Sequence, residues 1–139
     1  MNAYKTAISR KKLSTPARFL HETGKLNGDC LDFGCGKGFD CDHLNIQGYD
    51  PHYRDNNLTA YDTIMCNYVL NVCYEDEQKN IIEKIKGLLK PTGTAYLTVR
   101  NDKKNLNGIT KKGTYQTFVN LDLPIIKKTG SFVMYVLKK

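Results

Sequence analysis

The sequence predicts an α/β domain built on a mostly parallel sheet, with helices on its faces and an antiparallel hairpin at one edge. Three observations predict it. Strand-like and helix-like segments alternate along residues 14–100. The segment "YDTIMCNYV" (61–69) is β-branched and apolar enough to be buried on both faces, as a central parallel strand is. A short apolar strand runs directly into a turn with glycine at 34, 36 and 38, the place where α/β sheets bind ligands.

"STPARFLHETGKL" (14–26) reads as a capped helix. Ser14 or Thr15 caps it, Pro16 suits the first turn, Gly24 stops it, and Phe19 and Leu20 face inward. "DCLDF" (29–33) is a strand, "FDCDHLN" (39–45) a short helix and "IQGYD" (46–50) a second strand ended by Pro51. "EDEQKNIIEKIKGLLK" (75–90) is the clearest helix. Its acids come first and its lysines later, in keeping with the helix dipole, and Ile81, Ile82, Ile85, Leu88 and Leu89 form its apolar stripe. "TAYLTVR" (94–100) is a strand, and residues 101–113 are a polar loop. "TYQTFVNL" (114–121) and "SFVMYVLKK" (131–139) are read as the edge hairpin, with "PIIKKTG" as their connection. The count is six strands in a single domain, residues 1–139.

With 139 residues and a mean hydropathy of −0.49, the chain is sized for one core. No apolar run approaches the ~20 residues of a membrane span. The start, "MNAYKTAISRKK", has no apolar region of the secretory kind, so a cytoplasmic protein without membrane association is expected. The five cysteines (30, 35, 41, 66 and 73) form no CxxC pair, and several lie in apolar runs. They read as reduced and mostly buried, with no metal site. Charge is uneven: residues 1–25 carry six Lys/Arg against one acid, residues 26–99 six against eleven, and residues 100–139 nine against two. Two basic ends around an acidic middle suit a nucleic-acid partner or an ordinary solvated surface.

Why does the chain need three glycines in "DFGCGKG"? Glycine lets the backbone turn sharply and approach a ligand closely, and N–H groups at the following helix start add partial positive charge. "GYDPH" then places Asp50 at the end of the second strand, where a carboxylate can hold the hydroxyls of a ribose. The pattern is neither GxxxxGK[ST] nor GxGxxG.

An acid, a GxGxG turn and a ribose acid resemble the class I S-adenosylmethionine-dependent methyltransferases, with their Rossmann-like fold. The resemblance implies that Asp32 and the backbone of Gly34, Cys35, Gly36, Lys37 and Gly38 surround the methionine end of S-adenosylmethionine. It also implies that Asp50 and Pro51 sit at the ribose, and that Asn67 and Tyr68 lie near the sulfonium and the methyl acceptor. One strand–helix unit of that fold is missing, because only "PHYRDNNLTA" (51–60) links Asp50 to the next strand. Adenine then falls to this linker, to Tyr53 or the chain near Leu58. More narrowly, "SRKKLSTPARFL", "DFGCGKGFD", "GYDPHYR" and "NYVLNV" together resemble a bacterial and phage group that includes putative methyltransferases associated with DNA phosphorothioation.

Methyl transfer from a sulfonium is mainly alignment, and a base is needed only where the acceptor must lose a proton. "NYVL" keeps the Asn and aromatic of the [DNS]PP[YFW] element of exocyclic-amine DNA methyltransferases but lacks both prolines. Asn71, Arg100, Tyr115 and Gln116 are candidates for the acceptor side, with Asn71 alternatively capping the following helix. Three functions remain open: a methyltransferase for nucleic acid, one for a small molecule or protein, and a cofactor-binding accessory domain.

Overall fold

The computed structural model describes residues 6, 7, 10–104, 107–111 and 113–139; Lys5 and Lys112, counted among the basic ends, lie outside the described residues. Helix α1 (Thr15–Glu22) starts at Ser14, whose Oγ accepts from the Ala17 N–H at 3.4 Å. After it come β1 (Cys30–Phe33), α2 (Phe39–Leu44), β2 (Gln47–Tyr49), β3 (Tyr61–Asn67), a 3-10 turn (Leu70–Val72) and α3 (Glu75–Leu88). The chain then forms β4 (Leu89–Arg100), β5 (Asn107–Ile109), β6 (Tyr115–Thr117), β7 (Ile125–Lys128) and β8 (Phe132–Lys138). Six of these strands make one sheet in the order β2-β1-β3-β4-β8-β7. The first four are parallel, and β8 and β7 are antiparallel.

The sheet is the middle of three layers, and the strand period of two separates its faces. On β3, Ile64 and Cys66 point to the α3 side, where Leu31, Leu97, Val99 and Ile85 complete the larger core. Met65 points to the other side and packs with Ala17 and Leu20 of α1 and with Phe132 and Met134 of β8. Phe19 is only half-buried and carries the Lys127 ammonium 5.4 Å from its ring centroid. Because β2 and β3 flank β1 on opposite sides, the topological switch point lies at the carboxyl end of β1, above the glycine turn.

The edge hairpin is β7–β8, and residues 115–117 are not part of it. "TYQTFVNL" supplies β6, which pairs with β5 in a separate ribbon, drawn from what reads as a polar loop. The turn explains the choice. Thr129 Oγ1 accepts from the Ser131 and Phe132 N–H groups at 3.1 and 3.0 Å, so "KKTGS" closes a tight hairpin and "PIIKK" becomes its outer strand. Lys127 and Lys128 thus sit on an exposed sheet edge, where lysine discourages pairing with other chains. That role accounts for part of the basic C-terminal segment without nucleic acid.

Candidate functional site

The glycine turn is held across the end of the sheet. Gly34 and Cys35 both donate to the Tyr49 carbonyl of β2, at 2.7 and 2.9 Å. Gly34 and Gly38 have φ of 79° and 91°, values that side chains rarely tolerate. A Cβ at Gly34 would run into Val69 Cγ2, and one at Gly38 into the Arg54 guanidinium. The glycines therefore answer to packing inside the turn as well as to whatever approaches it.

Asp50 ties this turn to the next one. Its Oδ2 accepts from Gly36 N–H at 3.0 Å, and its Oδ1 from His52 and Tyr53 N–H at 2.9 and 3.2 Å. A carboxylate offers about four acceptor positions, and three are taken by backbone. Asp50 is a scaffold first, with about one acceptor position left over. The backbone continues as a small antiparallel bridge between Asp50 and Arg54, and Arg54 forks onto Asp42 of α2 at 2.5 and 3.1 Å. This bridge occupies the start of the linker that replaces a strand–helix unit.

Asp32 is 4% exposed. Burial, reinforced by the Cys41 sulfur and the Asp40 carboxylate, raises its carboxyl well above the ordinary range. Cys41 goes the other way. A hydrogen bond from Cys35 and the Arg54 guanidinium, whose Nη1 lies 3.4 Å from Sγ, lower it to about 7 against the cost of burial. The same bond and burial push the Cys35 thiol up. Asp40 holds the N-terminal segment over the turn: its carboxylate accepts from Ser14 N–H at 2.9 Å and from Ser14 Oγ–H at 2.6 Å.

At the end of β3 the Asn67 amide has both its oxygen and its nitrogen buried with no partner among the described residues. A donor and an acceptor left together beside a glycine turn and a buried acid fit a zwitterionic group such as the ammonium and carboxylate of a methionine end. Tyr68 follows with φ 61°, a strained value for an aromatic residue, fixed by its N–H donating to the Thr98 carbonyl at 2.8 Å. Burial raises its phenol, so the hydroxyl stays protonated at neutral pH. Asn71, in the 3-10 turn, is 2% exposed and donates from Nδ2 to Gln116 Oε1 at 3.1 Å. It does not cap α3, whose cap position is Tyr74. Arg100 is paired bidentately with Asp102, at 2.9 and 2.8 Å.

The glycine turn, the Asp32, Asp40 and Asp50 carboxylates and the Asn67–Tyr68 corner share one cavity of about 660 Å³. The residues expected at the methionine and ribose ends of the cofactor line it: Asp32, Gly34, Cys35, Gly36, Lys37, Gly38, Asp50, Pro51 and Asn67. Tyr68, Asn71, Arg100 and Gln116 line it too. Tyr115 is not on its wall; the ring packs against Tyr74 with centroids 4.4 Å apart, because β6 turns alternate side chains to opposite sides. Tyr53 and Leu58 are also off the wall: Tyr53 stacks edge-on against His52, and Leu58 packs on the core. The wall beyond Asp50 comes instead from Tyr49 and from Glu77, Ile81 and Lys84 of α3. That spacing of four and three residues is one helix face, so the α3 pattern contained the signal. Arg10 and Ser14 reach the cavity from the N-terminal segment.

A methyltransferase-domain family profile matches residues 4–115. No curated protein sequence matches the chain. Among solved structures, DhpI in complex with SAH gives a TM-score of 0.65 at 12% identity, over 87% of this chain and 81% of that one. A 1,6-didemethyltoxoflavin-N1-methyltransferase from Burkholderia thailandensis, with 1,6-didemethyltoxoflavin and S-adenosylhomocysteine bound, gives 0.60 at 16% identity, over 88% and 76%. A structure from echinomycin biosynthesis, concerned with conversion of a disulfide bond into a thioacetal group, gives 0.58 at 17% identity; the match covers 66% of this chain and only half of that one. At such identities the structural likeness is one of fold. The family match spans the glycine turn, Asp50 and the Asn67–Tyr68 corner described above, and on it this chain belongs to the methyltransferase-domain family.

Proposed function

We propose that this protein binds S-adenosylmethionine and transfers its methyl group to a small-molecule acceptor. The observation that carries the reading is a shared cavity, in which the glycine turn with Asp32 and Asp50 is brought together with the Asn67, Tyr68, Asn71 and Gln116 corner. Its volume of about 660 Å³ falls within the range of ligand sites. S-adenosylmethionine supplies a methyl already activated on a sulfonium. The chain's task is then to bind and align. Asp32, ionised by a cationic partner, and the Asn67 amide hold the methionine end. Asp50 takes one ribose hydroxyl with the acceptor position its backbone bonds leave open. Tyr49, Ile81 and Lys84 flank the adenine side. Tyr68, held in its strained conformation, faces the acceptor, and its protonated phenol serves as a donor rather than a base.

The basic ends give the nucleic-acid reading less support than the sequence suggested, since Lys127 packs on Phe19 and Lys127 and Lys128 guard a sheet edge. The likeness to the phosphorothioation-associated group stays a likeness of four sequence elements, two of which meet through Ser14 and Asp40; it is silent on the acceptor. The test is incubation of the protein with methyl-tritiated S-adenosylmethionine and fractionated host extract, beside calorimetry with S-adenosylhomocysteine. Cofactor binding with label in a low-molecular-mass, nuclease-resistant fraction is expected. Label confined to a nuclease-sensitive fraction would replace the small-molecule acceptor with nucleic acid, and absence of cofactor binding would overturn the reading altogether.

A further inference from the structure

The acceptor corner contains a pair of amides whose hydrogen bonding is half complete. Asn71 Nδ2 donates to Gln116 Oε1 at 3.1 Å. That leaves Asn71 Oδ1, which is buried and has no partner among the described residues, and the Gln116 Nε2 group. Both side chains line the cavity. They come from different elements, the 3-10 turn after β3 and the β5–β6 ribbon, so their meeting is a product of the fold and not of local sequence. A buried polar atom left without a partner in a ligand cavity calls for one.

The chemistry of the pair is fixed by counting. Two amides joined by one hydrogen bond always leave one carbonyl oxygen and one NH₂ group wholly unengaged. If both side chains were turned over, Gln116 would donate to Asn71, and the remainder would be the Asn71 Nδ2 donor and the Gln116 Oε1 acceptor. The complement therefore holds whichever way the amides are drawn. We infer that Asn71 and Gln116 together read the methyl acceptor, selecting a neutral molecule that presents an N–H beside a carbonyl: the edge of a lactam or carboxamide. A carboxylate brings acceptors only and would face an oxygen with an oxygen. An ammonium brings donors only. An apolar acceptor leaves both amide groups unsatisfied. Tyr68, Val69 and Val72 add surface for the body of such a ligand on the same wall. The inference rests on the methyltransferase reading, because it assigns the part of the cavity that the cofactor does not fill.

The test uses the full chain saturated with S-adenosylhomocysteine and three probes followed by calorimetry: 2-pyridone, N-methyl-2-pyridone and benzoate. The expected order has 2-pyridone at least about tenfold tighter than the N-methyl compound, which lacks the donor, and than benzoate. Gln116→Glu keeps the shape and the bond from Asn71 Nδ2 but leaves two acceptors. It is expected to shift preference to protonated 2-aminopyridine, which offers two donors, with the affinity for S-adenosylhomocysteine unchanged. Equal binding of 2-pyridone and its N-methyl derivative, no binding of 2-pyridone, or an order untouched by Gln116→Glu would each overturn the inference. Failure of S-adenosylhomocysteine itself to bind is a different result, and it removes the methyltransferase reading instead.

Discussion

Asp50→Asn separates the scaffold task that the structure gives this carboxylate from the ribose contact proposed for it. In the native fold Asp50 accepts three backbone N–H groups, from Gly36, His52 and Tyr53, and keeps about one acceptor position for a ribose hydroxyl. An amide has one oxygen. If that oxygen stays on His52 and Tyr53, an NH₂ group faces the Gly36 N–H. If it turns to Gly36, the two turn N–H groups lose their acceptor, but His52 and Tyr53 are exposed and water replaces it. The second arrangement costs less, about 1–2 kcal/mol. For a chain of this length that lowers the melting temperature by about 4–8 °C. The ribose bond falls from charge-assisted to neutral, a difference of about 1.5 kcal/mol, or roughly tenfold in affinity. Asp50→Ala removes the acceptor and extends the loss to about 10–100-fold. Thermal melts read the first effect and calorimetry with S-adenosylhomocysteine the second. An Asn variant that melts lower but binds within about twofold of the parent would make Asp50 a scaffold alone and remove it from the ribose site.

Asp32→Asn is expected to stabilise the protein while weakening cofactor binding. Its carboxyl is raised by burial, so its favourable contribution is present below the ordinary value of 3.8 and is lost as pH rises through the raised folded value. At neutral pH the raised carboxyl is a cost to the fold relative to the unfolded chain, and the amide, which does not titrate, removes that cost. A higher melting temperature at pH 7 that shrinks towards pH 3 is the signature, and a lower one at pH 7 would refute it. Cys41, lowered to about 7 by Cys35 and Arg54, has the opposite linkage: its contribution is full above the ordinary thiol value of 9.0 and fades as pH falls through about 7. Thiolate absorbance titrated on the native protein should show one such step, moved upward in Arg54→Gln; an unmoved step would dissociate Arg54 from the sulfur. Ser14→Ala removes the α1 cap and the Oγ–H bond to Asp40, while the Ser14 N–H bond to Asp40 remains. A loss of about 1–2 kcal/mol in urea unfolding is expected, and none would mean that the hydroxyl adds nothing to the backbone bond and the packing that alanine keeps.

The sequence was most legible where one residue type answers to one requirement. Glycines at φ 79° and 91°, a β3 segment buried on both faces, and acids at the ends of β1 and β2 each admit few readings, and the glycine-turn half of the cavity follows from them. The half proposed for the acceptor was legible only as residue types. Asn71 and Gln116 were singled out separately, but nothing in the chain announces that residues 45 apart bond to each other. Pairing of β6 with β5 and not with β8 decides it, and that pairing depends on the Thr129 turn making β7 the better partner for β8. The contribution of α3 was hidden by its stripe. Ile81 reads as core in any amphipathic helix, whereas here it is half-buried at the cavity wall with Lys84 one turn on.

That wall follows from the missing strand–helix unit. In a sheet that begins at β2, the linker must return from the sheet edge across β1 to reach β3 within residues 50–60. The chain does this by folding back at once through the Asp50–Arg54 bridge and anchoring on α2 through Asp42. The linker is thereby spent on structure: Tyr53 and Leu58 turn to His52 and to the core, and neither reaches the cavity. The side left bare by the absent unit is closed by a helix from further along the chain, with the Lys84 ammonium 5.2 Å above the Tyr49 ring. A cation already seated on the aromatic face beside Asp50 sets a physical condition for the ligand. An adenine entering here must stack beside Lys84 or displace it, and displacing a partly exposed cation–π contact costs only about 0.5–1 kcal/mol. The reduced fold can therefore exchange a rigid adenine pocket for a movable lysine, provided that Asp50 and the glycine turn fix the other end of the cofactor.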